Sequence, residues 1–173
     1  TCGHLKRNRK QMMDKKIMIV DPEKCTGCRT CELVCAVKHN GVSAPSLARI
    51  HIVKWDNENF YIPMYCRHCE DAPCMAVCPK TAIYRDEELD SVRVDHDLCI
   101  GCKMCVSACP FGAMGWDARR GRLFKCDLCH GDPQCVRFCD TKAVDYVKTS
   151  MLCCDRMREA AENYTGLIRR QAR

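Results

Sequence analysis

Sixteen cysteines between Cys25 and Cys139 fall into four groups of four, and any fold must bring their thiols to a common purpose. The first group is Cys25, Cys28, Cys31 and Cys35, and the third is Cys99, Cys102, Cys105 and Cys109. Both follow Cys-x-x-Cys-x-x-Cys-x-x-x-Cys. The second group, Cys66, Cys69, Cys74 and Cys78, and the fourth, Cys126, Cys129, Cys135 and Cys139, widen the middle gap around a proline. Three thiolates at spacing three can reach three corners of one cubic cluster. The fourth, one helical turn on and about 6 Å along the axis, suits a neighbouring cluster better. Structural zinc wants closed tetrahedra, usually two Cys-x-x-Cys knuckles on separate strands, and would waste a ligand of each triple run. The spacing predicts [4Fe–4S] clusters in pairs, with the two members of a pair on the order of 10 Å apart.

Composition agrees. Leu, Ile, Val and Phe make up 33 of 173 residues, too few for hydrocarbon alone to organise the chain. Cysteine makes up 19 of 173, the level of a stapled or metal-loaded scaffold. Disulfide staples belong to secreted chains. Here the first residues are basic and polar (His4, Lys6, Arg7, Arg9, Lys10, Lys15, Lys16), and the apolar run Ile17–Val20 stops at Asp21. Arg7-Asn8-Arg9 is not a twin-arginine pair, and no apolar run approaches a membrane span. The expectation is a cytoplasmic protein with reduced thiols, no membrane span, and metal as the staple. The formal charge of +6 does not point to nucleic acid. Four oxidised clusters with their thiolates, at about −2 each, bring the loaded protein to about −2. Lys24, Arg29, Lys103 and Lys125 then read as compensation for buried anionic clusters.

The groups repeat in alternate pairs. Ile19-Val20-Asp21-Pro22-Glu23-Lys24-Cys25-Thr26-Gly27-Cys28 is echoed by Arg93-Val94-Asp95-His96-Asp97-Leu98-Cys99-Ile100-Gly101-Cys102. The exits Cys78-Pro79-Lys80-Thr81-Ala82-Ile83-Tyr84 and Cys139-Asp140-Thr141-Lys142-Ala143-Val144-Asp145-Tyr146 match as well. Internal duplication of this kind predicts two double-cluster lobes. Short hairpins are expected at residues 48–65, 82–94 and 114–124, and one or two helical turns at each Cys-x-x-x-Cys. Met157, Ala160, Ala161, Tyr164, Leu167 and Ile168 recur at three and four, so the tail reads as an amphipathic helix, packed on its own domain or docked to a partner. The fold class is α+β: two pseudo-symmetric bacterial-ferredoxin-like lobes with short hairpins and a C-terminal helix. Residues 1–16 form a basic extension, 17–150 the four-cluster domain and 151–173 the helix.

Over residues 17 to about 150 the chain resembles the four-cluster ferredoxin-like subunits that partner molybdenum or tungsten oxidoreductases, those of the dimethyl sulfoxide reductase type and related soluble polyferredoxins. All sixteen cysteines match. The resemblance implies a crossed pairing. Cys25, Cys28, Cys31 and Cys139 hold one cluster, and Cys126, Cys129, Cys135 and Cys35 its neighbour. Cys66, Cys69, Cys74 and Cys109 hold a third, and Cys99, Cys102, Cys105 and Cys78 the fourth. Two departures stand out: Cys35 precedes Ala36 and Cys139 precedes Asp140, where the pattern asks for proline. The short five-residue gap of the fourth group and the lack of an anchor point to a short, soluble member and weaken a quinone-linked respiratory role.

By the same resemblance the protein is a non-catalytic electron-transfer subunit. It carries single electrons through four [4Fe–4S] clusters between a larger tungsten or molybdenum pterin enzyme, favoured as an aldehyde oxidoreductase, and a flavin or ferredoxin redox partner. The alternatives are a free-standing polyferredoxin, a partner of a hydrogenase, formate dehydrogenase or carbon monoxide dehydrogenase, and, remotely, a redox-sensing regulator. No Gly-x-Gly-x-x-Gly loop for a flavin or nicotinamide cofactor and no radical-enzyme Cys-x-x-x-Cys-x-x-Cys loop occurs. His68 and His130, beside ligand cysteines, are read as backbone-bonded or solvent-facing rings, or as donors to cluster sulfur. Asp21 and Asp95 are read as caps, Cys153 and Cys154 as ordinary thiols, and Cys2 as part of an N-terminal segment expected to be mobile.

Overall fold

The computed structural model describes residues 15–149 together with 151, 152, 157 and 161. Most of the expected N-terminal extension and C-terminal helix therefore lies outside the described residues, as do Cys2, Cys153 and Cys154. The chain divides into two compact units, one of residues 20–145 and one formed by the two ends, residues 1–19 and 146–173. No helix among the described residues is long and apolar enough to cross a membrane.

The architecture is α+β, made of short helices and two-stranded sheets. Strand β1 (Lys16–Val20) pairs with β8 (Val144–Lys148). Three antiparallel hairpins follow in the larger unit: β2 (Ile50–Trp55) with β3 (Phe60–Tyr65), β4 (Ile83–Asp86) with β5 (Ser91–Val94), and β6 (Met114–Asp117) with β7 (Arg122–Lys125). They occupy the three segments where alternation and polar turns predict them.

Among the described residues four helices carry cysteines: α1 (Thr30–Asn40), α2 (Pro73–Ala76), α3 (Met104–Ala108) and α4 (Gln134–Arg137). Three are single turns, as the Cys-x-x-x-Cys spacing implies. Helix α1 is longer than expected, with 11 residues. It runs on until Gly41, whose φ of +71° ends it while its amide donates to the Val37 carbonyl at 2.9 Å. Helices α1 and α4 pack together, and so do α2 and α3.

One core cluster gathers Ala72, Cys74, Ile83, Val92, Cys105, Met114 and Leu123. Two of its members are cysteines from the groups, so hydrocarbon and metal ligands share one interior. Among the described residues three charged side chains are buried too, Glu32 at 1 % exposure, Lys125 at 4 % and Asp117 at 6 %. Glu32 Oε1 accepts from the Ile52 amide at 2.6 Å, and its Oε2 pairs with Arg29 Nε at 2.7 Å. The acid thus ties α1 to β2.

The repeat seen in the sequence recurs in the backbone bonds. The Asp21 amide donates to Ala143 O at 2.8 Å, and the Asp95 amide to Ala82 O at 2.7 Å. Asp21 and Asp95 both act as caps, accepting from Glu23 N and Asp97 N. Gly27 and Gly101 take φ of +68° and +69°, each beneath an aromatic ring, Tyr61 and Trp116.

Candidate metal centres

Each candidate metal centre combines a loop that bends around its thiols with a helical turn that carries one more. Bending the loop requires left-handed backbone at residues other than glycine: Arg29 and Lys103 ahead of α1 and α3, His68 in the second group, and the run Leu128, Cys129 and His130 in the fourth. Such strain persists only where the surroundings hold it, and ligand clamps are a usual place. Arg85 supplies part of that hold. Its guanidinium pairs with Asp90 at 2.8 Å and donates to the carbonyls of His68, Cys69 and Glu70, tying down the second loop.

Among the described residues three cavities are lined by four cysteines each. Cys78, Cys99, Cys102 and Cys105 line one. Cys66, Cys69, Cys74 and Cys109 line another. Cys25, Cys28, Cys31 and Cys139 line a third. In each cavity three thiols come from one group and the last from its partner group. The remaining four also gather. Burial, then Cys126, Cys35, Cys129 and Cys31 in turn, pushes the Cys135 thiol up.

The same electrostatics link one set of thiols to the next. Cys31 acts on Cys135, Cys66 on Cys126, and Cys74 on Cys105. The influences thus run from set to set in the order Cys25, Cys28 and Cys31, then Cys126 and Cys135, then Cys66 and Cys74, then Cys105 with Cys99 and Cys102. Cys28 and Cys102 are the exposed thiols of the sixteen, and they belong to the two end sets.

The donor chemistry fits iron–sulfur clusters. All sixteen cysteines are free. Burial pushes Cys126 up to about 12, and burial with the Glu32 carboxylate and neighbouring thiols pushes Cys31 to about 12. Sulfurs this far from water need a cation to become thiolates, and ferric and ferrous iron provide one. Backbone amides already point at several of these sulfurs. Arg49 N donates to Cys35 Sγ at 3.2 Å and Ala113 N to Cys109 Sγ at 3.4 Å. His68 N and Leu128 N each donate at 3.5 Å, to Cys66 and Cys126. Both pairs fall at matching places in the two halves of the repeat.

Charged and imidazole groups surround the middle sets. Lys125, read from the sequence as a general counter-charge, is buried, and its ammonium donates to Val92 O and, at 3.0 Å, to Cys126 O. Its charge lowers the thiols of both Cys74 and Cys126 against the burial that raises them. His130 is exposed, with Nε2 3.9 Å from Asp127. His68 is packed inward: its Nδ1 accepts from Val92 N at 3.0 Å. Burial first, then Lys125 and Arg85, holds its imidazole pKa down to about 3, so the ring is neutral.

One sulfur contact has no sequence signal. His39, from the end of α1, places Nε2 3.5 Å from Cys129 Sγ and 3.5 Å from Asp127, which Arg49 clasps at 2.7 Å. His39 and Cys129 are 90 positions apart, and Arg49 lies outside any cysteine group.

Residues 57–149 match the family described as a 4Fe-4S dicluster domain, and residues 16–37 match a 4Fe-4S binding domain. Among similar proteins, the polyferredoxin-like subunit of aliphatic sulfonate oxidoreductase from Pyrococcus furiosus is 35% identical over 80% of this chain and 79% of its own. The electron transport protein HydN of Escherichia coli is 38% identical over 84% of this chain and 97% of its own. The B subunit of the anaerobic dimethyl sulfoxide reductase of Escherichia coli is 36% identical over 73% of this chain and 70% of its own.

Proposed function

This chain belongs to the 4Fe-4S dicluster family of electron-transfer proteins, and from that premise we propose that it is a relay carrying single electrons across four [4Fe–4S] clusters. It has no substrate of its own. The observation that carries the reading is the set of three cavities, each lined by four free thiols drawn from two groups, with the remaining four thiols gathered beside them. When bound, each cluster supplies a one-electron couple. The chain supplies sixteen thiolates in crossed fours, amides and an ammonium that favour negative charge on sulfur, and loops that hold neighbouring sets side by side. Two pseudo-symmetric lobes, one from groups one and four and one from groups two and three, account for the paired backbone bonds at Asp21 and Asp95.

The two ends of that order carry the two exposed thiols, which suits arrival of electrons at one end and departure at the other. A larger enzyme subunit is the natural partner at one of them. Relatives named as subunits of a sulfonate oxidoreductase and of dimethyl sulfoxide reductase support this. We favour a tungsten or molybdenum pterin enzyme of aldehyde type, in the cytoplasm, where thiols stay reduced. A free-standing carrier is the second reading, supported by HydN, which is matched over 97% of its length and named simply as an electron transport protein.

The test is anaerobic purification from the native host with whatever remains bound. The relay requires about sixteen iron and sixteen sulfide per chain. Half that content ends the four-cluster reading. Tungsten or molybdenum in step with a larger subunit supports the pterin partner, and a chain that purifies alone with neither metal favours the carrier.

A further inference from the structure

Among the described residues, one buried side-chain nitrogen or oxygen lacks a hydrogen-bond partner: His68 Nε2. The residue lines the cavity of Cys66, Cys69, Cys74 and Cys109. Its other ring nitrogen is fixed, because the Val92 amide can only donate, so Nδ1 must accept and the proton of the neutral ring sits on Nε2. Val92 is itself held from the far side, where Lys125 donates to its carbonyl. The backbone of His68 is pinned by two further bonds, its amide to Cys66 Sγ at 3.5 Å and its carbonyl accepting from Arg85 at 3.2 Å. The imidazole is thus locked in position and tautomer, with an unanswered buried N–H on a residue that lines a cavity of thiols. A buried donor left without an acceptor costs free energy, so its survival argues for an acceptor brought by the cavity's occupant.

We propose that His68 Nε2–H donates to a sulfur of the cluster bound by Cys66, Cys69, Cys74 and Cys109. The assignment rests on the cluster reading above and adds to it one named side-chain donor at one named site. A donor to sulfur stabilises the more negative, reduced form and so raises that centre's reduction potential. His68 is then what sets this inner centre apart from its neighbours, and the series Lys125, Val92, His68 is the device that keeps the donor aimed.

The test uses the full-length protein, purified anaerobically with histidine labelled with nitrogen-15. Hyperfine spectroscopy of the reduced protein should show a weak coupling from a histidine nitrogen. That coupling should vanish in His68→Leu and survive in His39→Leu, which separates it from the ring beside Cys129. Redox titration of His68→Leu should move one midpoint down and leave the others in place, and His68→Gln, which restores an N–H near the same spot, should recover much of the shift. Fully loaded wild-type protein without the coupling, or a loaded His68→Leu with every midpoint unchanged, overturns the proposal. Wild-type iron well below about sixteen per chain overturns instead the cluster reading beneath it, and iron analysis tells the two failures apart.

Discussion

Glu32 Oε1 accepts the Ile52 amide proton at 2.6 Å while sitting between two members of the first cysteine group, Cys31 and Cys35. A buried carboxylate beside thiols that carry negative charge is electrostatically unwelcome, and it is retained because a strand amide and Arg29 need it. Glu32→Ala strands the amide and should lower stability by about 1–3 kcal/mol. Glu32→Gln keeps an acceptor and should lose less. Denaturant midpoints of the loaded protein under argon measure both, and equal losses for Ala and Gln would put the effect in the charge rather than the amide bond.

The crossed lining of the cavities predicts where a missing thiol is felt. Cys35→Ser should disturb the centre of Cys126, Cys129 and Cys135 and spare that of Cys25, Cys28 and Cys31. Cys139→Ser should do the reverse. Paramagnetic resonance of the two reduced variants checks this, and the opposite pattern refutes the crossing.

Gly115 and Gly101 face aromatic rings for different reasons. A Cβ on Gly115 would run into the Phe124 ring, on backbone of ordinary conformation. Gly115→Ala should therefore cost about 1–3 kcal/mol, and Phe124→Leu in the same chain should recover most of it. A Cβ on Gly101 would lie 2.9 Å from the Trp116 ring, and the residue also has φ of +69°. Gly101→Ala should keep a penalty of about 1–2 kcal/mol even with Trp116→Leu, since relief of the ring contact leaves the backbone strain. Thermal unfolding of the single and double variants, loaded and under argon, separates the two cases.

Lys125 is a buried cation whose described hydrogen bonds go to carbonyls, between the thiols Cys74 and Cys126. Lys125→Met should cost about 1–3 kcal/mol of stability as the carbonyls lose their donor. It should also lower two midpoints together, those of the two inner centres, and leave the outer two unmoved. Redox titration decides, and a shift in all four would make the effect one of general fold rather than of local charge.

The local parts of this fold were legible because they are written at short range. Cysteine spacing marks the helical turns, alternation marks the three hairpins, and Asp21 and Asp95 stand where caps are expected. The repeat in residues 19–28 and 93–102 is accompanied by matching backbone bonds at Asp21 and Asp95. What could not be read depends on partners far along the chain. His39 meets Cys129 across 90 positions. Lys125 was legible only as one of four general counter-charges, and the packing alone shows that it is the buried one, donating to Val92 O and Cys126 O. Glu32 carries no motif at all, and only the arrival of Ile52 gives its burial a reason. His130, adjacent to a ligand and tempting for that, faces solvent, whereas His68, equally adjacent, turns inward.

The pairing of α1 with α4 and of α2 with α3 also sets an order of birth. On the ribosome, every thiol of the second and third groups has emerged once Cys109 is out. The first group, though made earliest, must wait for residues 126–139. On the proposed crossed pairing, a nascent chain therefore passes through a stage in which the second and third groups are all present while Cys25, Cys28 and Cys31 still wait for Cys139.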